Sequence, residues 1–91
     1  MSFRMVAFHY PKTGHSGELL RQLEQAAQMI KSAPGCVDVE LWKEQTSGAL
    51  VSTARFESRE AFMKAFQAAG ATTKASEIEE RAREVYNLVD P

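Results

Sequence analysis

Two imidazoles and one thiol are the side chains of this 91-residue sequence best suited to proton transfer or nucleophilic attack near neutral pH. His9 stands near the end of the first apolar stretch, beside Tyr10 and on the parity of Met5 and Ala7. An imidazole there can accept a proton at pH 7, or it can be a partly buried ring bonded to backbone at a strand end. His15 falls in the turn that follows and belongs on the surface. Cys36 follows a Pro34-Gly35 turn and opens a strand, the ordinary place for an inert buried thiol. No histidine partners it in the sequence, and a single cysteine cannot close an internal disulfide. A metal centre needs three or four convergent ligands, which two histidines and a cysteine on separate elements support poorly. No glycine-rich phosphate loop or nicotinamide fingerprint is present, so no phosphate-bearing cofactor is indicated. Arg55 suits either an anionic ligand or a surface pair with a carboxylate.

The elements that must position these groups follow from hydrophobic periodicity. Phe3 to Tyr10 is apolar on both parities, with Phe3, Met5 and Ala7 on one face and Val6, Phe8 and Tyr10 on the other. Such a strand needs both faces covered. Pro11-Lys12-Thr13-Gly14 makes a turn, Thr13 or Ser16 is the expected helix N-cap, and Glu18 suits the positive end of the helix dipole. Leu19, Leu20, Leu23, Ala26, Ala27 and Ile30 then recur at helical spacing until Pro34-Gly35. Val37, Val39 and Leu41 alternate with Asp38, Glu40 and Trp42 in a second strand. Gln45 to Gly48 turns the chain into a third strand, Ala49 to Phe56. Ser58 caps a helix carrying Phe62, Ala65, Phe66 and Ala69, which Gly70 ends. Ser76 and Glu79 have the spacing of a capping box and predict a short third helix, and Glu84 to Val89 is the last strand. The order β-α-β-β-α-β is ferredoxin-like, an α+β fold with a four-stranded antiparallel sheet and helices on one face. Phe62 and Phe66 lie on the inner stripe of their helix, placed for the core or for a cavity against the sheet.

A chain of this length is one domain, residues 1–91, burying roughly 60–65% of the surface its unfolded form exposes. Its 44% hydrophobic and 25% charged residues are those of a globular domain. A net charge of −1 offers no field to gather phosphates, so nucleic acid is not an expected partner. No apolar run approaches the ~18 residues that span a membrane. The chain enters its first strand without a signal-like apolar region, so a cytoplasmic location is the expectation. Helices on one face leave the other sheet face open, and in the first strand both candidate faces are apolar. A symmetric homodimer with two sheets face to face covers that surface, and Trp42, on the parity of Asp38 and Glu40, would pack in such an interface.

Three segments carry a family resemblance: the Pro34-Gly35-Cys36 turn, the strand running to Leu41-Trp42, and Phe56-Glu57-Ser58-Arg59-Glu60-Ala61-Phe62. They resemble the antibiotic biosynthesis monooxygenase family, and the similarity extends over residues 3 to 89. The resemblance implies a dimeric α/β barrel and a monooxygenase that needs no metal or flavin. It would act on an electron-rich aromatic, a phenol, quinol or polyketide-like molecule, with O2. His9 would be the acid–base group, and Tyr10, Arg55, Phe62 and Phe66 would contact the substrate. Phe56 stands where many members have tryptophan. The histidine that quinol-oxidising members carry falls here on Ala65 or Phe66, and heme-degrading members' tryptophan and histidine fall on Phe66 and the Thr72-Thr73-Lys74 region. Heme degradation is therefore the weaker reading, and a non-catalytic dimeric binding or regulatory module is the rival one.

Overall fold

The computed structural model describes residues 2–70 and 74–91. Thr72 and Thr73, where a heme-ligating histidine would fall, lie outside them. The elements are β1 (Phe3–His9), α1 (Ser16–Lys31), β2 (Cys36–Lys43), β3 (Leu50–Phe56), α2 (Arg59–Ala68) and β4 (Glu84–Val89). All strand pairs are antiparallel, in the order β2-β3-β1-β4, as the ferredoxin-like reading expects.

Register decides which side chains meet the helices. His9 lies opposite Leu50, Ala7 opposite Ser52 and Val85, and Met5 opposite Ala54 and Asn87. These rows share one face because side chains directly opposite each other point the same way. Phe3, Met5, Ala7, Ala54 and Phe56 join Ile30, Phe62 and Ala65 in one core cluster. Leu19, Leu23, Leu50 and Ile78 form a second. Phe62, 5% exposed, ties α2 to the sheet, its ring centroid 4.7 Å from Phe3, 5.7 Å from Phe56 and 4.3 Å from Phe66.

Four local expectations are corrected. The N-cap of α1 is His15, whose side chain makes no capping bond; Ser16 is already helical, and Thr13 precedes the cap. The imidazole instead lies 3.1 Å from Glu18 Oε1. Val37 is not on the core face, because the register of β2 shifts between Cys36 and Asp38. That bulge turns Val37 outward, half exposed, and leaves Cys36 and Val39 facing the core. Ala49 pairs with Glu44 at the hairpin end, so β3 begins at Leu50. The predicted third helix is absent among the described residues. Glu79 Oε1 does accept from Ser76 N at 3.2 Å, the reach-back half of a capping box. The helix fails because the segment spends its backbone on β1's exit: Lys12 N donates to Ile78 O at 2.8 Å and Glu80 N to Tyr10 O at 2.7 Å.

Other signals hold. Ser58 Oγ accepts from Ala61 N at 3.1 Å and caps α2. Gly35 turns the chain in the left-handed region at φ 84°, and a Cβ there would lie 2.7 Å from Ala61 Cβ. Gly14 has a similar φ of 83° but nothing within 4 Å. A left-handed alanine costs about 1–2 kcal/mol and overpacking a further ~1–3 kcal/mol. Gly35→Ala is therefore expected to lower the urea-unfolding free energy by at least ~1 kcal/mol more than Gly14→Ala, and equal losses would show that the α2 contact gives way freely.

Candidate functional site

Between the two core clusters lies a cavity of about 240 Å³. It exists because small residues face each other across the layers. On α1 the large Leu23 and Ile30 are separated by Ala26 and Ala27, while the sheet beneath presents Ala7, Ser52 and Ala54. Phe62 and Phe66 close it from α2, and Val39, Leu41 and Val85 complete apolar walls. The exposed Asn87 marks its outer side along β4.

The buried polar end is built by β1, β3 and the segment before β4. His9, 3% exposed, projects inward from the last position of β1. Ser52, diagonal to it on β3, places Oγ 2.9 Å from His9 Nε2. The carboxylate of Glu79, fully buried, lies with Oε2 4.0 Å from His9 Nδ1. Arg83 grips that carboxylate with both ends of its guanidinium, Nε to Oε2 at 3.1 Å and Nη2 to Oε1 at 3.2 Å. His9 Nδ1 is buried without a hydrogen-bond partner.

Electrostatics at this end follow from desolvation first. Burial first and the Arg83 charge second, partly opposed by Glu79, together lower the His9 pKa to about 4. At neutral pH the ring is uncharged. Burial also pushes the Glu79 carboxyl up, but the Arg83 hydrogen bond and the Ser76 backbone N–H outweigh it and leave the group below its ordinary range, anionic. The site is therefore a neutral imidazole between a hydroxyl and an arginine-paired carboxylate, opening on an apolar cavity.

Of the residues singled out from sequence, His9, Phe62 and Phe66 come together at this cavity. His9 bonds a side-chain hydroxyl there rather than backbone. Tyr10 and Arg55 do not reach it. Both follow the outer parity of their strands, Arg55 bonding Asp38 Oδ2 at 3.0 Å and Tyr10 donating to Glu84 Oε1 beneath the Arg81 guanidinium, 3.8 Å from the ring centre. Trp42, 60% exposed, lies on that outer face with Tyr86, 51% exposed, and Leu88. Burial raises the half-buried Cys36 thiol, as does Asp38, which keeps it protonated and unreactive. Among the described residues no three metal-ligating side chains converge. Ser52, Arg83 and Asn87 are not among the residues singled out from sequence, and Glu79 enters the sequence reading only as half of a capping box. Ser52 and Asn87 are polar residues on otherwise apolar inner parities, a signal present in the sequence, whereas the burial of Glu79 and Arg83 depends on a non-local return of the chain.

A family profile described as antibiotic biosynthesis monooxygenase matches residues 2–78. No curated protein matches the chain. Among solved structures, a Mycobacterium tuberculosis protein is 19% identical, with a TM-score of 0.79 over 100% of this chain and 96% of that one. A Pseudomonas aeruginosa protein is 14% identical, with a TM-score of 0.82 over 99% and 94%. A variant of SnoaB, a cofactor-independent oxygenase from Streptomyces nogalater, is 17% identical, with a TM-score of 0.76 over 98% and 92%. At these identities the likeness is one of fold.

The titration of His9 yields a stability test. Its folded pKa, about 4, lies below the ordinary 6.5, so between those values the unfolded chain holds a proton the folded chain lacks. Folding stability is intact above pH 6.5 and falls as pH drops toward 4, by ~3 kcal/mol. Glu79 adds loss only at lower pH, as its own lowered carboxyl protonates, and Arg83 stays charged throughout. Urea unfolding at pH 7 and pH 4.5 is expected to show this slope in the wild type and a much smaller one in His9→Gln; parallel slopes would mean that His9 titrates normally.

Proposed function

The chain belongs to the antibiotic biosynthesis monooxygenase family, and on that premise we propose that it is a cofactor-independent monooxygenase of an electron-rich phenol or quinol. Family membership supports monooxygenase chemistry in general. The observation that carries the finer reading is the pairing of an apolar cavity with a single buried neutral imidazole at its polar end. An aromatic ring suits the Phe62 and Phe66 wall, while its hydroxyl suits the His9 end.

In this reading the phenol gives its proton to His9, and the electron-rich anion passes one electron to O2. The caged radicals combine, and the peroxide collapses. One oxygen atom enters the ring as a quinone carbonyl and the other leaves as water, so a phenol and O2 become a quinone and H2O. The proton transfer is the demanding step. A phenol near pKa 10 facing an imidazole at about 4 leaves a deficit of ~8 kcal/mol. The Glu79 carboxylate, 4.0 Å away, is already part of that imidazole value and keeps the deficit from being larger, so the remainder falls to hydrogen bonding of the developing phenolate at the polar end. The same weak basicity is the one observation favouring the second reading, a binding module whose cavity holds an aromatic without oxidising it.

The outer sheet face supports a homodimer. Trp42, Phe8, Tyr86 and Leu88 offer an aromatic and aliphatic surface, with the Phe8 and Tyr86 rings edge to face at 6.2 Å, and the Arg55–Asp38 pair lies beside it.

Two measurements test these proposals. Oxygen consumption with a panel of hydroquinones and polycyclic phenols is expected in the wild type and should fall ~10²–10⁴-fold in His9→Ala. No consumption above background favours the binding module, and an undiminished variant removes His9 from the chemistry. Sedimentation at micromolar concentration should give a dimer, and a single ~10 kDa species would rule out pairing through the sheet.

A further inference from the structure

We propose that Ser52, not His9, is the group that touches the ligand, accepting a hydrogen bond from the ligand's hydroxyl while its own proton is donated to His9 Nε2. The cavity then selects aromatic O–H donors over ethers and carbonyls of the same shape. The proposal rests on the preceding reading only in taking an aromatic as the occupant.

The tautomer of His9 decides which way Ser52 bonds. Glu79 is held anionic by Arg83 and the Ser76 amide, and an ionised carboxylate accepts hydrogen bonds but cannot donate them. It faces Nδ1 at 4.0 Å, and Nδ1 has no hydrogen-bond partner. A proton on Nδ1 directs an N–H dipole at the carboxylate, whereas a bare Nδ1 would direct a lone pair at it. The first arrangement is favoured, more so in a site where field lines are not screened by water. Nε2 is then the bare nitrogen.

Ser52 follows from that. A hydroxyl 2.9 Å from a bare ring nitrogen must donate to it, and a hydroxyl has one proton to give. What remains on Ser52 Oγ is acceptor capacity. Ser52 and His9 both line the cavity, but Nε2 is taken by the serine proton and the Nδ1 proton faces Glu79, so the acceptor left for an occupant is the serine oxygen. Arg83, a donor that also lines the cavity, is turned onto Glu79. The polar end of the cavity thus presents an acceptor and calls for a donor.

The same geometry routes the proton. As the ligand O–H breaks, its proton bonds to Ser52 Oγ, the original Ser52 proton bonds to His9 Nε2, and the products are a phenolate and an imidazolium beside Glu79. No other reactant is needed.

The probes are 1-naphthol and 1-methoxynaphthalene, alike in shape and differing in the donor, with binding followed by their fluorescence. Wild type is expected to prefer 1-naphthol by ~10-fold, the equivalent of ~1.4 kcal/mol. Ser52→Ala should erase the preference while keeping the methoxynaphthalene affinity, and Ser52→Thr, which retains the hydroxyl, should restore it. Proton and nitrogen NMR of the wild type should find the His9 proton on Nδ1. Equal binding of the two probes by wild type, a preference that survives in Ser52→Ala, a proton on Nε2, or binding of neither probe overturns the proposal. These readouts are independent of turnover: a retained naphthol preference without oxygen consumption removes the monooxygenase reading and leaves this one standing.

Discussion

The ion pair between Glu79 and Arg83 is the interaction on which the site depends. A carboxylate buried without a partner would take up a proton or draw water in, since desolvating a charge costs several kcal/mol. Arg83 supplies two hydrogen bonds and the Ser76 amide a third, and with these the anion persists in the interior. A fixed negative group facing Nδ1 then orients the imidazole, and the imidazole orients Ser52. Removing the arginine would leave Glu79 facing His9 without compensation, and both protonation states would change together. The pair contributes arrangement at this site more than net stability.

That arrangement also accounts for the segment that precedes β4. Residues 76 to 80 have the pattern of a helix start, yet they run as turns bonded to residues 10 to 12. The backbone bonds from Lys12 and Glu80 anchor the segment, and Glu79 is carried to the end of β1 where His9 emerges. On the other side of the cavity, the contrast between large and alanine-sized residues on α1 keeps the layers apart. Two compact clusters hold the sheet and helices in place, and the space between them is a consequence of side-chain volume.

Much of this was legible in the residues. Period-two and helical patterns located all four strands and both helices, since Phe62, Ala65 and Phe66 at helical spacing or Met5, Ala7 and His9 on one parity admit few alternatives. That His9 shares a face with Met5 and Ala7 followed from the same parity. The outward placement of Arg55 and Tyr10 was equally encoded in their parity, but which face would hold the cavity depended on where the helices pack. Val37 misled because a bulge breaks alternation without a local residue signal. Glu79 misled because a capping-box pattern describes local preference, and the backbone bonds that overrode it come from residues nearly seventy positions away in sequence. The site's acid–base character is a property of that long-range contact.

The proposed reaction takes the phenol's proton at the His9 end and the new carbonyl oxygen from O2. Mass spectrometry of the product formed under ¹⁸O₂ in ordinary water tests this directly. A quinone-type product carrying a single ¹⁸O atom is the predicted result. An added oxygen that comes from water, or the absence of any oxidised product, would contradict it.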